Sequence, residues 1–376
     1  MLNPAEEPVL APEVGRALES AAAAIGRLDA RVQASPVRRA WLRRSTFLAA
    51  VRATEANGYS FEVERLFALA ANLPVPRLKD YGIDTVALEI LGQVLTLTAA
   101  AEGERGAEPP SSRPNADWEK ALETLRLGPG TGSVLAGALA GLRKWIAQDG
   151  RPSLGLVAFA QVLAERGITQ GPVPWLAGAL PSRAILADGL SAARWTRRAL
   201  QELAGTAEAG SRLLAALEAT REAWYRRLGT RRATSRLDLV LELALAYPVL
   251  SPVQVSGLLG TSVRGAAMLL DQLASLEILL PPKRDGSWRF FIAADLRDIR
   301  SHVLGEAPPA PAPVREIAMA PPAPAPPLGP LPAAARKPKP IKEPKGFGDL
   351  LASTDEVVRR ITERLAQFRG KVPIEP

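Results

Sequence analysis

Cysteine is absent from the 376-residue sequence, and histidine occurs once, at His302. The absence of cysteine excludes disulfide bonds, thiolate metal sites and cysteine nucleophiles. Aromatic residues are also sparse, at 5% of the chain. The carboxylates Glu55, Glu62 and Glu64 cluster in the sequence, but no histidine or cysteine accompanies them. We therefore expect no metal site and no cofactor.

We expect neither a membrane-spanning segment nor a signal peptide in this sequence. The most apolar stretch, Ser133 to Leu142, has about half the length that a membrane-spanning helix needs. The N-terminal sequence MLNPAEEPVLAPEVG is acidic and interrupted by proline, unlike a secretory signal peptide. We expect no membrane association and predict a cytoplasmic protein.

Alanine, leucine and arginine dominate the chain, and 47% of its residues are apolar. This composition favours helix, because alanine and unbranched side chains lose little entropy there. Apolar residues recur at helical spacing, and no alternating strand pattern occurs before residue 275. The prediction is a mainly α protein with a disordered N-terminus (1–15) and an all-α domain (16–228). The predicted helices cover residues 16–34, 36–47, 60–71, 83–101, 117–126, 133–148, 154–166, 190–204 and 207–228.

The net charge of +8 is unevenly distributed. Residues 1–225 hold 25 Lys/Arg and 24 Asp/Glu, residues 226–305 hold 11 and 7, and residues 306–376 hold 11 and 8. The positive excess in the last two fifths of the chain favours a polyanionic partner, although an ordinary arginine-rich surface would give the same counts.

A helix-turn-helix pattern begins at Leu237. Apolar residues at 237, 240, 241, 244 and 245 predict a first helix that ends at Pro248. Ser251 and Pro252 begin a second helix, and Gly260 suits the sharp turn that follows, since glycine tolerates a positive φ. In the third helix, which Thr261 or Ser262 caps, the predicted buried residues are Ala266, Leu269, Leu270, Leu273 and Leu276.

A β-hairpin follows these helices. Ile278 to Leu280 predicts one strand, Lys283 to Gly286 the turn, and Ser287 to Ile292 the returning strand, because Asp-Gly between strand-like runs is a strong hairpin signal. Three helices and a hairpin predict a winged helix-turn-helix over residues 235–294. Such a module binds DNA or, alternatively, holds a protein partner.

On double-stranded DNA, the start of the third helix would face the bases. Arg264 can make a bidentate contact with guanine, worth about 1–3 kcal/mol of discrimination, and Gln272 can reach adenine or a phosphate. Basic residues on the wing and before the first helix would contact phosphates. The predicted DNA-binding residues are Ser262, Arg264, Gly265, Met268, Gln272, Lys283, Arg284, Arg289, Arg231, Arg232 and Arg236.

The C-terminal residues differ in composition. Residues 306–346 contain 14 of the 34 prolines and predict an extended Pro/Ala-rich linker. In residues 347–376, Ser353 and Glu356 form a capping box, and apolar residues follow at helical spacing. This amphipathic helix would dock on its own domain, or bind a protein partner or a second copy of the chain. Its predicted contact residues are Val358, Ile361, Leu365 and Phe368.

Four segments occur in this order: RLDARVQASPVRRAWLRR (Arg27 to Arg44), TEANGYSFEVERL (Thr54 to Leu66), PVPWLAGAL (Pro172 to Leu180) and SRLDLVLELALAYPVLSPVQVSGLLGTSVRGAAMLLDQL (Ser235 to Leu273). In this combination, over about residues 16–294, the chain resembles a bacterial, often plasmid-encoded family. Its members have an N-terminal domain of unknown function, distantly similar to Fic proteins, and a C-terminal helix-turn-helix. The resemblance implies a Fic-like helical domain but no established activity.

Fic catalysis is not expected to survive here. AMP transfer by Fic enzymes depends on a histidine base, a Gly-rich anion-binding turn and arginines. The matching stretch near Gly171 to Leu176 has no histidine, no asparagine and no Gly-x-Gly-Arg, and His302 lies far along the chain. A general base is typically worth about 10²–10⁴-fold in rate. We therefore predict that the protein is not an enzyme and has no catalytic residue.

Together these patterns predict a DNA-binding protein, a transcriptional regulator or plasmid-maintenance factor. The helical domain would then serve dimerisation or ligand sensing. The alternative is an adaptor that holds protein partners through the winged helix and the tethered C-terminal helix.

Overall fold

The computed structural model describes residues 12–71, 81–102, 116–128, 133–148, 150–180, 190–229, 236–280, 283–285 and 288–296. These residues are mainly α-helical, which confirms the predicted fold class at that level. The helices are α1 (Pro12–Ala34), α2 (Arg38–Ala56), α3 (Val63–Ala70), α4 (Tyr81–Glu102), α5 (Ala116–Arg126), α6 (Val134–Ala147), α7 (Pro152–Glu165), α8 (Ala192–Leu228), α9 (Leu237–Ala246), α10 (Pro252–Leu259) and α11 (Val263–Ser275).

Helix α1 begins inside the segment that was predicted to be disordered. Pro12 is its first residue, where the fixed φ of proline suits a first turn, and Glu13 adds a favourable charge at the helix N-terminus. Val14 is buried in the core. The predicted boundary between residues 15 and 16 is therefore wrong for residues 12–15, while residues 1–11 lie outside the described part of the chain.

Helix α8 is continuous over 37 residues, whereas the sequence predicted two helices with a break at residues 205–206. A glycine inside a helix costs only about 1 kcal/mol relative to alanine, so Gly205 does not end it. Leu200, Leu203 and Ala207 are fully buried on either side, and their burial offsets that cost.

Helix α2 lies at the centre of the helical unit (residues 12–229). It packs against α4, α7, α8 and the 3₁₀ turn Pro174–Gly178. Trp41 of α2 donates a hydrogen bond from Nε1 to the carbonyl of Gly210 (3.0 Å), and Trp175 donates to the carbonyl of Thr206 (2.7 Å). A Cβ on Gly210 would lie 2.9 Å from Trp175 Nε1, so this close approach of α8 requires glycine. The two tryptophans thereby fix the position of α8.

Residues 236–296, here called the C-terminal unit, combine α9, α10 and α11 with three short strands: β1 (Val249–Leu250), β2 (Lys283–Asp285) and β3 (Trp288–Ile292). The antiparallel sheet has the order β1-β3-β2, in which Val249 pairs with Ile292 and Arg284 pairs with Arg289. Three helices followed by a hairpin are present, as the sequence predicted.

Two details of the sheet differ from the prediction. Strand β1 lies before residue 275, where no strand was expected. Its two residues form a strand only by pairing with β3, so no local pattern in the sequence could predict it. Lys283 and Arg284, which were predicted to be part of the turn, are in strand β2. The predicted first strand, Ile278 to Leu280, contributes only the bridge from Leu279 to Ala293 and hydrogen bonds at its ends.

The helical unit and the C-terminal unit share one hydrophobic core. Helix α9 packs against α2 and α8, and the buried apolar residues from Val14 to Ala293 form a single cluster. Within the described ranges, no single helix is long and apolar enough to cross a membrane; α10 and α11 pass that test only as a pair, and they are bent by 111° relative to each other.

Candidate nucleic-acid interface

A left-handed glycine lies in the turn between α10 and α11, and each of the two helices begins with a serine cap. Gly260 has φ +57° and ψ 40°, a left-handed conformation that L side chains adopt only with strain. Ser251 accepts a hydrogen bond from the backbone N–H of Gln254 (3.2 Å), and Ser262 accepts one from that of Gly265 (3.1 Å). These caps satisfy N–H groups at both helix starts. The sequence-predicted Ser262 and Gly265 therefore stabilise the beginning of α11.

Helix α11 buries one face and leaves the other uncovered. Ala266, Leu270 and Leu273 are buried, as predicted, whereas the predicted Leu269 and Leu276 are only partly buried against the core. The exposed residues include the predicted Arg264, Met268 and Gln272, which follow one another at intervals of four. The sequence pattern thus placed these three side chains on one surface correctly.

The exposed surface of α10 and α11 also carries apolar side chains. Met268 is 57% exposed, Val263 is 49% exposed and Val253 is 60% exposed. These are three of the six large apolar residues that are exposed in the described part of the chain. We call Val253, Val263 and Met268 the apolar patch.

Arg289 does not extend freely from the wing. Its guanidinium forms an ion pair with Asp271 of α11 and lies 5.2 Å from the centre of the Phe291 ring. Its charge is therefore largely balanced inside the C-terminal unit. The sequence had placed Arg289 among the phosphate contacts, and the pairing with Asp271 could not be read from the sequence because it depends on how β3 packs against α11.

The basic residues before α9 are divided between described and undescribed ranges. Arg236 is exposed, and its Nη1 donates to the carbonyl of Leu259 (2.9 Å), which satisfies a carbonyl at the end of α10. Arg231 and Arg232 lie outside the described residues. Lys283 and Arg284 are neighbours on β2, paired in register with Phe290 and Arg289.

An Arg-Arg pair that was not among the predicted DNA-binding residues ends α8, and its second arginine reaches the end of α11. Arg226 and Arg227 are exposed in the last turn of α8, and Arg227 Nη1 donates to the carbonyl of Glu277 (2.8 Å) just after α11 ends. Their signal was present in the sequence as an Arg-Arg pair ahead of the helix-turn-helix. Basic residues at a helix C-terminus are favoured by the helix dipole alone, which made the pair uninformative.

Two ion pairs join the C-terminal unit to the helical unit, and the second of them is buried. Arg44 of α2 contacts Asp295 (Nη1 to Oδ2, 2.8 Å) and also donates to the carbonyl of Leu245 (2.7 Å). Arg221 of α8 contacts Glu242 of α9 (Nε to Oε1, 2.7 Å), and the side chains are only 4% and 1% exposed. A buried ion pair needs good hydrogen-bond geometry, because each charge loses its hydration on burial and only the partner's attraction can compensate for that loss.

Tyr225 completes the second of these pairs. Its hydroxyl donates to Glu242 Oε1 (2.9 Å). Burial raises the pKa of Tyr225 far above its usual range, and the negative charge of Glu242 and the hydrogen bond raise it further. Tyr225 therefore stays a neutral donor at any pH at which the protein is handled.

These pairs change the charge that the C-terminal unit presents. Its described residues hold five Lys/Arg and six Asp/Glu. However, Glu242, Asp271 and Asp295 are all in ion pairs, two of them with arginines of the helical unit. The carboxylates therefore contribute less to the outer electrostatic potential than their number suggests.

The stretch near Gly171 to Leu176, which lacks the residues of a Fic catalytic turn, has a packing role. Pro174, Trp175 and Leu176 are buried in the 3₁₀ turn against α2 and α7. No group of three or more His, Cys, Asp or Glu residues that could hold a metal ion occurs within the described ranges. A cavity between α2, α3 and β1, bordered by Phe47, Phe67 and Gln254, has room for about one water molecule and offers no support for ligand sensing.

The predicted residues of the C-terminal helix, Val358, Ile361, Leu365 and Phe368, lie outside the described part of the chain, as do the linker 306–346 and His302. Comparison with known proteins finds no family model that matches the chain and no significant match among curated proteins.

Proposed function

We propose that the C-terminal unit is a winged helix-turn-helix that binds double-stranded DNA through α11, and that the protein acts as a transcriptional regulator or plasmid-maintenance factor. The observation that carries the proposal is the uncovered face of α11, which presents Arg264, Met268 and Gln272 on a helix held by a capped turn. An α-helix of this kind fits the major groove of B-DNA, and its first turns then face the base edges.

The angle between the helices supports this docking. The bend of 111° between α10 and α11 lies within the range of about 90–120° that helix-turn-helix pairs adopt. In this arrangement α11 enters the groove while α10 crosses above it. The β2–β3 hairpin then reaches the adjacent backbone with Lys283 and Arg284.

Phosphate contacts would come from the borders of α11. Arg226 is exposed in the last turn of α8, next to Arg227, which is anchored beside the end of α11. Each cation that replaces a condensed counterion contributes to affinity and to its loss at high salt. We propose Arg226 and Arg227 as phosphate-contacting residues, together with Arg231, Arg232, Lys283 and Arg284.

The helical unit is proposed as a non-catalytic, Fic-like scaffold of a cytoplasmic bacterial protein. The four sequence segments that resemble the plasmid-encoded family support this assignment. The buried Trp175 turn supports it as well, because the residues at the place of the Fic catalytic turn are used for packing. Accordingly, we expect no nucleotidyl transfer by the protein.

Fluorescence anisotropy with labelled duplexes tests the proposal on the full chain. A duplex selected from a random library should bind at low salt, and the affinity should fall steeply as salt rises. Arg264→Ala should reduce the preference for that duplex by about 5- to 150-fold, because a bidentate guanine contact is worth about 1–3 kcal/mol. Arg226→Ala should weaken all sequences alike and reduce the salt dependence by about one phosphate.

Arg194→Ala is the matched control. Arg194 is an exposed arginine in the first turn of α8, about 50 Å along that helix from Arg227, and its loss removes the same charge. Arg194→Ala should leave binding nearly unchanged. Equal effects of Arg194→Ala and Arg264→Ala, or no duplex binding at low salt, would contradict DNA binding through α11.

A second candidate function is a protein adaptor. The apolar patch and the internal pairing of Arg289 with Asp271 favour it, because protein interfaces accept apolar side chains and few free charges. Deletion of residues 347–376 separates the two functions. A DNA-binding regulator should keep its affinity for DNA, whereas an adaptor should lose its partner.

A further inference from the structure

We propose that the apolar patch reads the C5-methyl groups of thymine, so that the preferred DNA places thymines beside the base that Arg264 contacts. The inference rests on the proposed function and adds to it a class of DNA sequence. It assigns specificity to Met268 and Val263, with Val253 at the edge of the contact.

The uneven distribution of exposed apolar residues is the first observation. Single exposed apolar side chains are normal on any protein. Here three of the six in the described ranges fall between residues 253 and 268, on two consecutive helices. Met268 lies on the same exposed face as Arg264, one helical turn away. The patch is thus part of the surface that would face the bases.

The charges around the patch favour DNA over an apolar protein partner. Arg264 lies between Val263 and Met268 on α11, and an apolar partner that covered both residues would also remove the arginine from water. In the major groove, Arg264 would find acceptor atoms on guanine, while the methyl group of thymine is the one apolar feature of the base edges. One cationic side chain between two apolar side chains matches that groove in both respects.

Spacing along α11 limits where the thymines lie. Arg264 and Met268 are four residues apart, which is about 6 Å along a helix. Successive base pairs are about 3.4 Å apart. Met268 should therefore reach a thymine within about two base pairs of the guanine that contacts Arg264, and Val263 should reach one on the other side.

Uracil substitution tests the inference directly. The full chain is first used to select a preferred duplex from a random library, and each thymine in the duplex is then replaced singly by deoxyuridine. This change removes the C5-methyl group but retains base pairing and phosphate charge. Burial of one methyl group corresponds to about a fourfold change in affinity. We expect one or two positions to weaken binding by about that factor and the others to leave it unchanged.

Variants assign the effect to a residue. Met268→Ala should bind the thymine and uracil duplexes equally at the position that Met268 contacts, while Arg264→Ala should remain sensitive to uracil. Leu127→Ala is the control, because Leu127 is an exposed apolar residue of the helical unit, at 69% exposure, far along the chain from α11. The control should show the same uracil sensitivity as the unchanged protein. Met268→Leu, which keeps the apolar volume, should retain it as well.

The outcomes separate this inference from the proposed function. If the protein binds a selected duplex but no uracil substitution changes affinity, methyl reading is refuted and DNA binding stands. If no duplex binds at all, both proposals fail. If uracil has no effect and Met268→Ala instead abolishes capture of a protein partner, the apolar patch belongs to the adaptor function. The uracil series on the unchanged protein does not depend on whether any variant folds.

Discussion

The buried pair of Arg221 and Glu242 allows a sharp test of how the two units are joined. The pair links α8 to α9 with an Nε to Oε1 distance of 2.7 Å, and the side chains are 4% and 1% exposed. Glu242→Gln keeps the shape of the side chain but removes its charge. The Arg221 guanidinium would then be buried without its counter-ion.

The expected cost follows from that burial. Removal of one partner from a buried ion pair typically lowers the free energy of unfolding by about 3–5 kcal/mol. Tyr225→Phe removes one hydrogen bond to the same carboxylate, for about 1.5–3 kcal/mol. The double variant Arg221→Met with Glu242→Leu removes both charges together. It should cost less than Glu242→Gln alone, because neither charge is left unpaired.

Urea denaturation followed by circular dichroism measures these free energies. Asp117→Asn is the control, because Asp117 pairs with Arg151 at 3.2 Å with both side chains more than half exposed. That change should cost less than about 1 kcal/mol. The reasoning is refuted if Glu242→Gln costs no more than Asp117→Asn. It is also refuted if the double variant loses as much free energy of unfolding as Arg221→Met and Glu242→Leu lose when their separate costs are added.

Three other changes should affect stability in defined directions. Gly260→Ala should lower the free energy of unfolding by about 1–2 kcal/mol in urea denaturation, since φ is +57° there. Gly210→Ala should lower it by about 1–3 kcal/mol and alter tryptophan fluorescence, because its Cβ would meet Trp175 Nε1 at 2.9 Å. The hydrogen bond from Arg126 lowers the pKa of Glu165, so the charged carboxylate stabilises the fold above pH 4.5 and loses this effect as the pH falls. In urea denaturation, the midpoint of Glu165→Gln should therefore approach that of the unchanged protein on acidification.

Local patterns predicted most of the helices. The predicted helices at 83–101, 117–126, 133–148 and 154–166 match α4 to α7 to within two residues at each end. Apolar periodicity and caps are properties of a short segment, so a single sequence contains them. Strand β1 was missed because its two residues are defined by their partners on β3, some forty positions away. Lys283 and Arg284 were assigned to the turn for the same reason, since their pairing with β3 defines strand β2.

The candidate site was predictable to the extent that one helix determines it. Arg264, Met268 and Gln272 follow from the period of α11 and are exposed together. The pairing of Arg289 with Asp271 and the contact of Arg236 with the end of α10 depend on packing between elements. A count of basic residues therefore overestimated the number of cations that can reach a phosphate.

The ion pairs between the units also affect the C-terminal unit when it stands alone. Residues 236–296 alone would carry six Asp/Glu against five Lys/Arg, and would lack Arg44 and Arg221. Glu242 and Asp295 would then lose these arginine partners, and the fragment would attract a phosphate backbone less than the full chain does. We expect a fragment of residues 236–296 to be less stable than the full chain and to bind DNA more weakly at equal salt. Circular dichroism and anisotropy on both proteins measure this difference, and a fragment that folds and binds as tightly as the full chain would show that the helical unit does not supply this charge compensation.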